Sequence, residues 1–255
     1  MDSITQAALG TAVSYACWSK PLGRKALPYG FALGTLPDLD IVAYPLLDEV
    51  QQLYWHRGDS HSIWFIVFGS LLTAWLLRRL PLTRELSTNQ AGWGVFAIYV
   101  THVLIDVFTV YGTQLLAPIS RHGFGTNNLF IIDPLFTAPL LLGILGALVW
   151  PGEKMRVRLN ALGLAAATLY TGWSFVAQGV ASRNFAAALA AHLRANPDLP
   201  LADVAYTLKE GRRAFDKRRV LVAETAAEAA ELLEQGDPRQ VFTHDRLGAA
   251  PDTVF

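Results

Sequence analysis

The chain has 255 residues, of which 52% are hydrophobic and only 16% are charged, whereas charged residues make up about 25% of a typical soluble domain. Acidic and basic residues balance to a formal net charge of zero, so no global electrostatic argument favours a nucleic-acid partner. The single cysteine, Cys17, excludes an intrachain disulfide, and its apolar neighbours indicate a small packed hydrophobe.

Six apolar segments follow one another in the first 181 residues. They lie at about 3–18, 26–47, 62–77, 91–111, 131–150 and 159–181. A membrane-spanning helix needs about 20 mainly apolar residues, and segments four, five and six meet that length. The third segment is slightly short, but Trp64 and Trp75 near its ends are typical of interfacial anchors. Segments one and two are marginal, so we expect them to be short, re-entrant or buried by the others.

A soluble all-helical enzyme with unusually apolar helices is the alternative. Residues 159–181 argue against it, because they carry no charge and offer no polar face wide enough for water. The N-terminus lacks the basic region of a cleavable signal peptide. We therefore expect the chain to reach a membrane through its own retained helices.

Basic residues orient the predicted bundle. They cluster in three short loops, at about 20–25, 78–84 and 154–158. All three loops fall on one side if every segment crosses once, and the positive-inside rule makes that side cytoplasmic. The other side then carries the loops at about 48–61 and 112–130 and the C-terminal part of the chain. The His and Asp residues of the apolar region belong to or border that side. The pattern predicts an integral membrane protein whose site faces the non-cytoplasmic side.

The composition changes from about residue 182. An Ala-rich helical stretch at 186–195 is followed by the basic stretch Lys209–Arg219, the β-like run Val220–Val222 and an Ala-Glu helix at Thr225–Gln235. We predict a membrane-embedded domain over 1–181 and a small soluble appendage, α/β or helical, over 182–255. The basic stretch is typical of a solvated face, and binding to anionic lipid headgroups is the alternative.

Ionisable side chains interrupt the apolar sequence in three places. Such groups persist in lipid or in a core mainly when they pair, line a wet cavity or bind a metal. His102 and Asp106 are four residues apart in a helical segment, so both side chains lie on one helix face. This spacing predicts ligands of one divalent ion or of two neighbouring ions, with a simple hydrogen-bonded pair as the alternative.

A second cluster consists of Asp38 and Asp40, directly after Pro37. Carboxylates two residues apart point to different sides of a regular helix, so they converge only where the backbone is irregular. Proline disturbs helical geometry, and irregular backbone at membrane depth must line a cavity or be buried in protein. A helix cap or a turn at the membrane surface is the alternative.

The third cluster lies in the loop between segments two and three. Gly58 permits a tight turn there, so His56 and His61 can face one point. Arg57 is a rigid fork suited to a phosphate or carboxylate. Ser60 or Asp59 can cap the helix that begins near Ser62. A polar loop with incidental histidines is the alternative.

Together the clusters offer imidazole and carboxylate ligands without thiolates. That set suits Zn²⁺ or Mn²⁺, and Mg²⁺ less readily. The number of candidates suggests more than one ion, and paired metals activate water and stabilise phosphoryl transfer. A serine nucleophile is disfavoured, because the chain has no Gly-x-Ser-x-Gly motif.

Six short motifs occur in a fixed order over about the first 180 residues. They are Asp2–Gln6, Pro37–Asp40, His56–Gly58 with His61 and Ser62, His102 with Asp106, Tyr111–Gln114 and Ile132–Pro134. This series resembles the YdjM-like (DUF457) family of membrane-bound metal-dependent hydrolases. That family is distantly similar to the all-helical zinc-dependent phospholipase C and P1 nuclease group. The resemblance implies helices that present His and Asp to zinc, and hydrolysis of phosphoester bonds.

The resemblance also implies a set of metal ligands. It assigns this role to Asp38, His56, His61, His102 and Asp106. Asp40 becomes either a ligand or a carboxylate that supports one. Gln6 stands where some relatives carry His.

The sequence therefore predicts a mainly α, polytopic helical membrane bundle with a His/Asp metal site and a small C-terminal soluble appendage. We expect a membrane-bound metal-dependent hydrolase, with Zn²⁺ preferred over Mn²⁺ or Mg²⁺, acting on a phosphoester or lipid-linked substrate. Arg57 would steady the anionic group, and Asp40 or Asp59 would take the proton. The expected partners are membrane lipids and that substrate. The alternative is a non-enzymatic membrane protein whose His/Asp cluster is an ion-binding or structural network.

Overall fold

Helices make up most of the chain. The computed structural model describes residues 1–209 and 217–245. The chain divides into two units, Met1–Gly172 and Trp173–Phe255, and each is described by itself.

The first unit contains most of the helices. They are α1 (Ser3–Leu22), α2 (Ala26–Thr35), α3 (Glu49–Trp55), α4 (Ser70–Leu77), α5 (Thr88–Val107), α6 (Pro134–Val149) and the first part of α7 (Glu153–Ala195). Short 3-10 stretches lie at Gly23–Lys25, Pro37–Leu46, Asp59–His61 and Pro81–Thr83, and a π-helical stretch lies at Phe65–Gly69. The irregular backbone expected after Pro37 is therefore present.

Side-chain caps fix where the main helices begin. Asp2 accepts hydrogen bonds from two backbone amides in the first turn of α1. Ser87 and Gln90 form a reciprocal capping box at α5, and Asp133 caps α6 in the same way as Asp2 caps α1. Each cap satisfies amides that have no partner inside the helix, so these helices begin at defined residues.

Helix α1 lies at the centre of the first unit and packs against α2, α5 and α6. Glycines allow α1 and α2 to approach closely, since a Cβ added at Gly30 would lie 2.4 Å from the carbonyl oxygen of Gly10. Trp18 of α1 is fully buried, and its indole nitrogen donates to the carbonyl of Gln90 at 2.8 Å. This hydrogen bond holds the C-terminal part of α1 beside the N-terminal end of α5.

One helix of the described residues, Thr88–Val107, is long and apolar enough to cross a membrane by length and composition. Segments five and six are helical, but the lengths of their helices differ from the expected spanning length of about 20 residues. Helix α6 has only 16 residues, because the chain before its cap Asp133 is not helical. Segment six forms part of the 43-residue α7, because the Ala-rich sequence that follows it favours continued helix.

The second unit contains the end of α7, helices α8 (Leu201–Lys209) and α9 (Ala226–Gln235), and strands β1 (Lys217–Leu221) and β2 (Val241–Asp245). The strands pair antiparallel, with Leu221 opposite Val241. Small apolar side chains of α7 and α9 form a separate core, with Ala190 and Ala230 fully buried. The predicted helix after Thr225 and the predicted strand at Val220 are both present, whereas most of the basic stretch lies outside the described residues.

Candidate metal centre

Four side chains of the first unit converge on one point. Ligand atoms of Asp38, His61, His102 and Asp106 all lie within 4.8 Å of one another. The Nε2 atom of His61 lies 3.2 Å from Nε2 of His102, 3.3 Å from a carboxylate oxygen of Asp38 and 3.2 Å from Oδ2 of Asp106. His61, His102 and Asp106 are buried, and Asp38 retains 14% of its side-chain exposure. This group could hold a metal ion.

Three different local structures supply these side chains. His102 and Asp106 lie on one face near the C-terminal end of α5, as their spacing predicts. Asp38 follows the proline that ends α2 and lies in a 3-10 stretch. His61 ends the short 3-10 turn that begins at Asp59. Each irregular segment turns a polar side chain back towards α5, which a continuous helix would not do.

The outer nitrogen of each histidine is already engaged. Nδ1 of His102 lies 2.7 Å from the carbonyl oxygen of Gly34, which can only accept a hydrogen bond. Nδ1 of His61 lies 2.9 Å from Oγ of Ser60, whose single proton goes to Oδ2 of Asp40 at 3.2 Å. In both neutral rings, Nδ1 therefore carries the hydrogen and Nε2 carries the lone pair. This is the tautomer that binds a metal through Nε2.

The carboxylate of Asp106 has one anchored oxygen and one free oxygen. Its Oδ1 accepts a hydrogen bond from Gln6 at 3.0 Å, lies 3.2 Å from the guanidinium of Arg57 and contacts the amino group of Met1. Within residues 1–209 and 217–245, no hydrogen bond reaches its Oδ2, which faces His61. An orphaned buried oxygen facing two imidazole lone pairs is a repulsive arrangement unless a cation lies between them. The donor set thus fits a divalent metal.

The pKa of His61 also depends on the two carboxylates beside it. Burial opposes the charged form, but Asp106 and Asp38 outweigh it and raise the pKa of His61, because both are negatively charged and would accept a hydrogen bond from Nε2 of the protonated ring. A proton or a metal cation can balance this negative charge, because either places positive charge between the carboxylates. Metal and proton therefore compete for His61.

Asp40 and His56 lie beside this group rather than within it. Nδ1 of His56 is 3.3 Å from Oδ1 of Asp40, and the ring centroid of His56 is 6.3 Å from that of His61. The rings of Tyr44 and Tyr111 meet His56 edge-on. The ligand roles predicted for Asp40 and His56 stay predictions.

The two remaining sequence candidates are in different surroundings. Arg57 is buried; its guanidinium donates to Thr109 at 2.8 Å and lies 4.9 Å above the ring centre of Tyr111. Asp59 has a half-exposed side chain that pairs with Arg121 at 3.2 Å, outside the converging group. The structure thus places Arg57, but not Asp59, against the cluster, and their catalytic roles stay predictions.

Sequence reasoning missed several residues that hold the cluster in place. The carbonyl of Gly34 has no sequence signal, because any residue supplies a carbonyl. Ser60 was assigned only to helix capping, and Thr109 was not considered. Gln6 drew attention as the position where relatives carry His, and its amide donates to Asp106 and to the backbone of His102.

Comparison with known proteins matches most of the chain to one family. The family profile described as YdjM inner membrane protein matches residues 1–181. The chain belongs to this family. A second profile, described as CurL-like, PKS C-terminal, matches residues 181–233.

One curated relative of this YdjM-family protein is the uncharacterized protein YfhP of Bacillus subtilis. The two are 28% identical over 147 residues, which are 52% of this chain. The match covers 42% of the relative, so this chain spans less than half of that protein's length. No solved structure matches the chain.

Proposed function

We propose that this YdjM-family protein is a membrane-bound metal-dependent hydrolase that acts on a phosphoester or lipid-linked substrate. The observation that carries the proposal is the convergence of Asp38, His61, His102 and Asp106. When bound, a divalent cation supplies a water of lowered pKa and positive charge for the transferring group. Two imidazoles and two carboxylates without a thiolate favour Zn²⁺, then Mn²⁺, over Mg²⁺.

Exposed apolar side chains of the first unit support contact with lipid. Large apolar residues are exposed on α2, α5, α6, α7 and the helical stretch from 65 to 77, among them Phe31, Phe68, Leu71, Leu72, Trp93, Leu142, Leu145 and Leu169. Soluble monomers seldom expose so many large apolar groups, because water penalises them. The family description and the spanning length of α5 agree with this part of the proposal.

The position of the cluster along α5 supports a site near one membrane surface. His102 and Asp106 lie in the last two turns of this helix, and its N-terminus at Thr88 follows the basic loop that contains Arg78 and Arg84. If that loop is cytoplasmic, the cluster lies near the opposite surface. A lipid or lipid-linked substrate could reach it there through Asp38, whose side chain is the most exposed of the four.

Residues around the cluster would bind and orient such a substrate. Arg57 places a buried positive charge beside Asp106, where it would help to steady an anionic group. His56 and Tyr111 lie on the same side of the cluster as Asp40, and form an aromatic edge next to Arg57. These groups supply charge and shape but are not themselves in the converging set.

A non-enzymatic network is the second candidate, favoured by one observation. Hydrogen bonds already engage Nδ1 of His61, Nδ1 of His102 and one oxygen of Asp106. The polar groups of the cluster therefore also stabilise the fold around them. A structural network would lose stability on mutation without any dependence on metal. An ion-binding network would retain metal but hydrolyse nothing.

Hydrolysis by purified protein tests the proposal. We would assay protein loaded with Zn²⁺, chelator-stripped protein and reloaded protein on bis(p-nitrophenyl) phosphate and on a phospholipid in mixed micelles. We expect turnover that is lost on stripping, restored on reloading and absent from Asp38→Asn. If loaded wild-type protein hydrolyses neither compound while retaining metal, the ion-binding alternative is favoured.

A further inference from the structure

We infer that Asp40 and Ser60 form a hydrogen-bond relay that sets the position of the proton on His61. Both would be positioning residues that prepare His61 for a metal, rather than ligands themselves. The inference rests on the proposed function, because it assumes that the cluster binds a metal. It also gives Asp40 a role that differs from proton transfer.

The carboxylate of Asp40 contacts three residues of one short loop. Its Oδ1 is 3.3 Å from Nδ1 of His56, and its Oδ2 accepts hydrogen bonds from the backbone amide of Arg57 at 3.1 Å and from Oγ of Ser60 at 3.2 Å. The side chain is only 4% exposed. These three contacts fix the carboxylate of Asp40 towards the loop, away from the converging ligand atoms.

The direction of the Ser60 hydrogen bond decides the tautomer of His61. An ionised carboxylate only accepts, so the hydroxyl proton of Ser60 points to Asp40. The oxygen of Ser60 then accepts from Nδ1 of His61, and Nε2 is left with its lone pair towards the cluster. With the opposite tautomer, the ring would direct an N–H at Nε2 of His102 and repel a cation.

His102 reaches the same tautomer by a different route. Its Nδ1 donates to the backbone carbonyl of Gly34. A backbone carbonyl remains when a side chain is substituted. The orientation of His61, in contrast, depends on two side chains. Mutation of a side chain that hydrogen-bonds a metal-binding histidine typically weakens metal affinity by about 10–100-fold.

Asp40 also holds the backbone of the loop. Arg57 has a φ of 55°, a left-handed conformation that residues other than glycine seldom adopt, and its amide donates to Asp40. Changing Asp40 therefore disturbs both the loop and the relay. Ser60→Ala removes the relay alone, because the contacts of Asp40 with His56 and Arg57 remain.

The test is the Zn²⁺ affinity of the full-length protein in detergent, measured by competition with a chromophoric chelator. We expect Ser60→Ala to bind Zn²⁺ about 10–100-fold more weakly than wild type, and Ser60→Thr to restore the affinity because it keeps the hydroxyl. Ser62→Ala is the matched control, since the Ser62 hydroxyl donates to the backbone of Asp59. It should change affinity less than twofold.

Two further measurements separate the relay from a general structural role. The visible absorption spectrum of Co²⁺-loaded Ser60→Ala should differ from that of wild type, because His61 no longer presents a fixed Nε2. Thermal unfolding of the metal-stripped proteins should be similar for Ser60→Ala and Ser62→Ala. If Ser60→Ala does not fold, Ser60→Val is used instead, because valine has the shape of threonine without its hydroxyl and is compared directly with Ser60→Thr.

The outcomes are distinct. Wild-type affinity and an unchanged Co²⁺ spectrum in Ser60→Ala would overturn the relay while leaving the metal site intact. Wild-type protein that binds neither Zn²⁺ nor Co²⁺ would overturn the proposed function and the relay with it. Weakened binding in Ser60→Ala, with Ser62→Ala unchanged, supports the relay.

Discussion

The Nε2 atoms of His61 and His102 face each other at 3.2 Å, although the two residues are 41 positions apart in the chain. Each ring is held from behind through Nδ1, by Ser60 and by a backbone carbonyl. Two imidazole lone pairs held together in this way require a cation or a proton between them.

His56 and His61 should differ in their effect on metal content. His61→Gln removes an imidazole from the converging group, so we expect a large loss of bound Zn²⁺. His56→Gln should keep the metal, because the contact of His56 is with Asp40. Metal content of the purified variants, measured by mass spectrometry, checks this; loss of metal from His56→Gln would instead support its role as a ligand.

Metal affinity should fall as the pH is lowered from about 8 to about 6, because ligands must lose their protons before they coordinate. The pKa of His61 is raised, so the proton competes with metal at a higher pH than it would for an ordinary imidazole. A lower pH therefore favours protonated His61 and weakens the binding of Zn²⁺. Calorimetric titration at several pH values measures the slope, and a pH-independent affinity would contradict the assignment of His61 as a ligand.

Asp106 should matter for folding as well as for metal binding. Asp106→Asn leaves the buried guanidinium of Arg57 without its charged partner. Such a loss typically lowers the free energy of unfolding by about 3–5 kcal/mol. The control is Asp59→Asn, whose exposed pair with Arg121 should contribute at most about 1 kcal/mol. Denaturant unfolding of metal-free protein compares the two. Equal effects would show that the Arg57 pair is not buried as described.

The close approach of α1 and α2 can be tested with glycine substitutions. A Cβ at Gly30 would lie 2.4 Å from the backbone oxygen of Gly10, so Gly30→Ala should force the helices apart and destabilise the protein by about 1–3 kcal/mol. In α5, a Cβ at Gly92 meets nothing within 4 Å. Gly92→Ala should therefore be neutral or stabilising by up to about 1 kcal/mol. Thermal unfolding measures both, and a stable Gly30→Ala would contradict the packing.

The sequence predicted those parts of the site that depend on local geometry. His102 and Asp106 share a face because the helical period places residues four apart together. The irregular backbone after Pro37 also follows from local chemistry. The separation of Asp40 from Asp38 could not be predicted, because it depends on how the loop from His56 to Ser60 folds against the first unit.

Helix bounds were harder to predict than helices themselves. The apolar run at 131–150 suggested a spanning helix, but the helix begins only after Asp133, whose side chain caps it. The run at 159–181 lies inside a longer helix, because its Ala-rich continuation favours helix to Ala195. Hydropathy reports which residues avoid water, and it does not report where a cap or a stop signal ends a helix.

The most direct test of the metal centre is the metal content of wild-type protein purified under metal-replete conditions. We predict at least one equivalent of divalent metal per chain, with Zn²⁺ preferred, and its loss in Asp38→Asn and His102→Gln. His122→Gln is the control, because His122 contacts Phe124 and is not part of the converging group. Folded wild-type protein without stoichiometric metal would contradict the account.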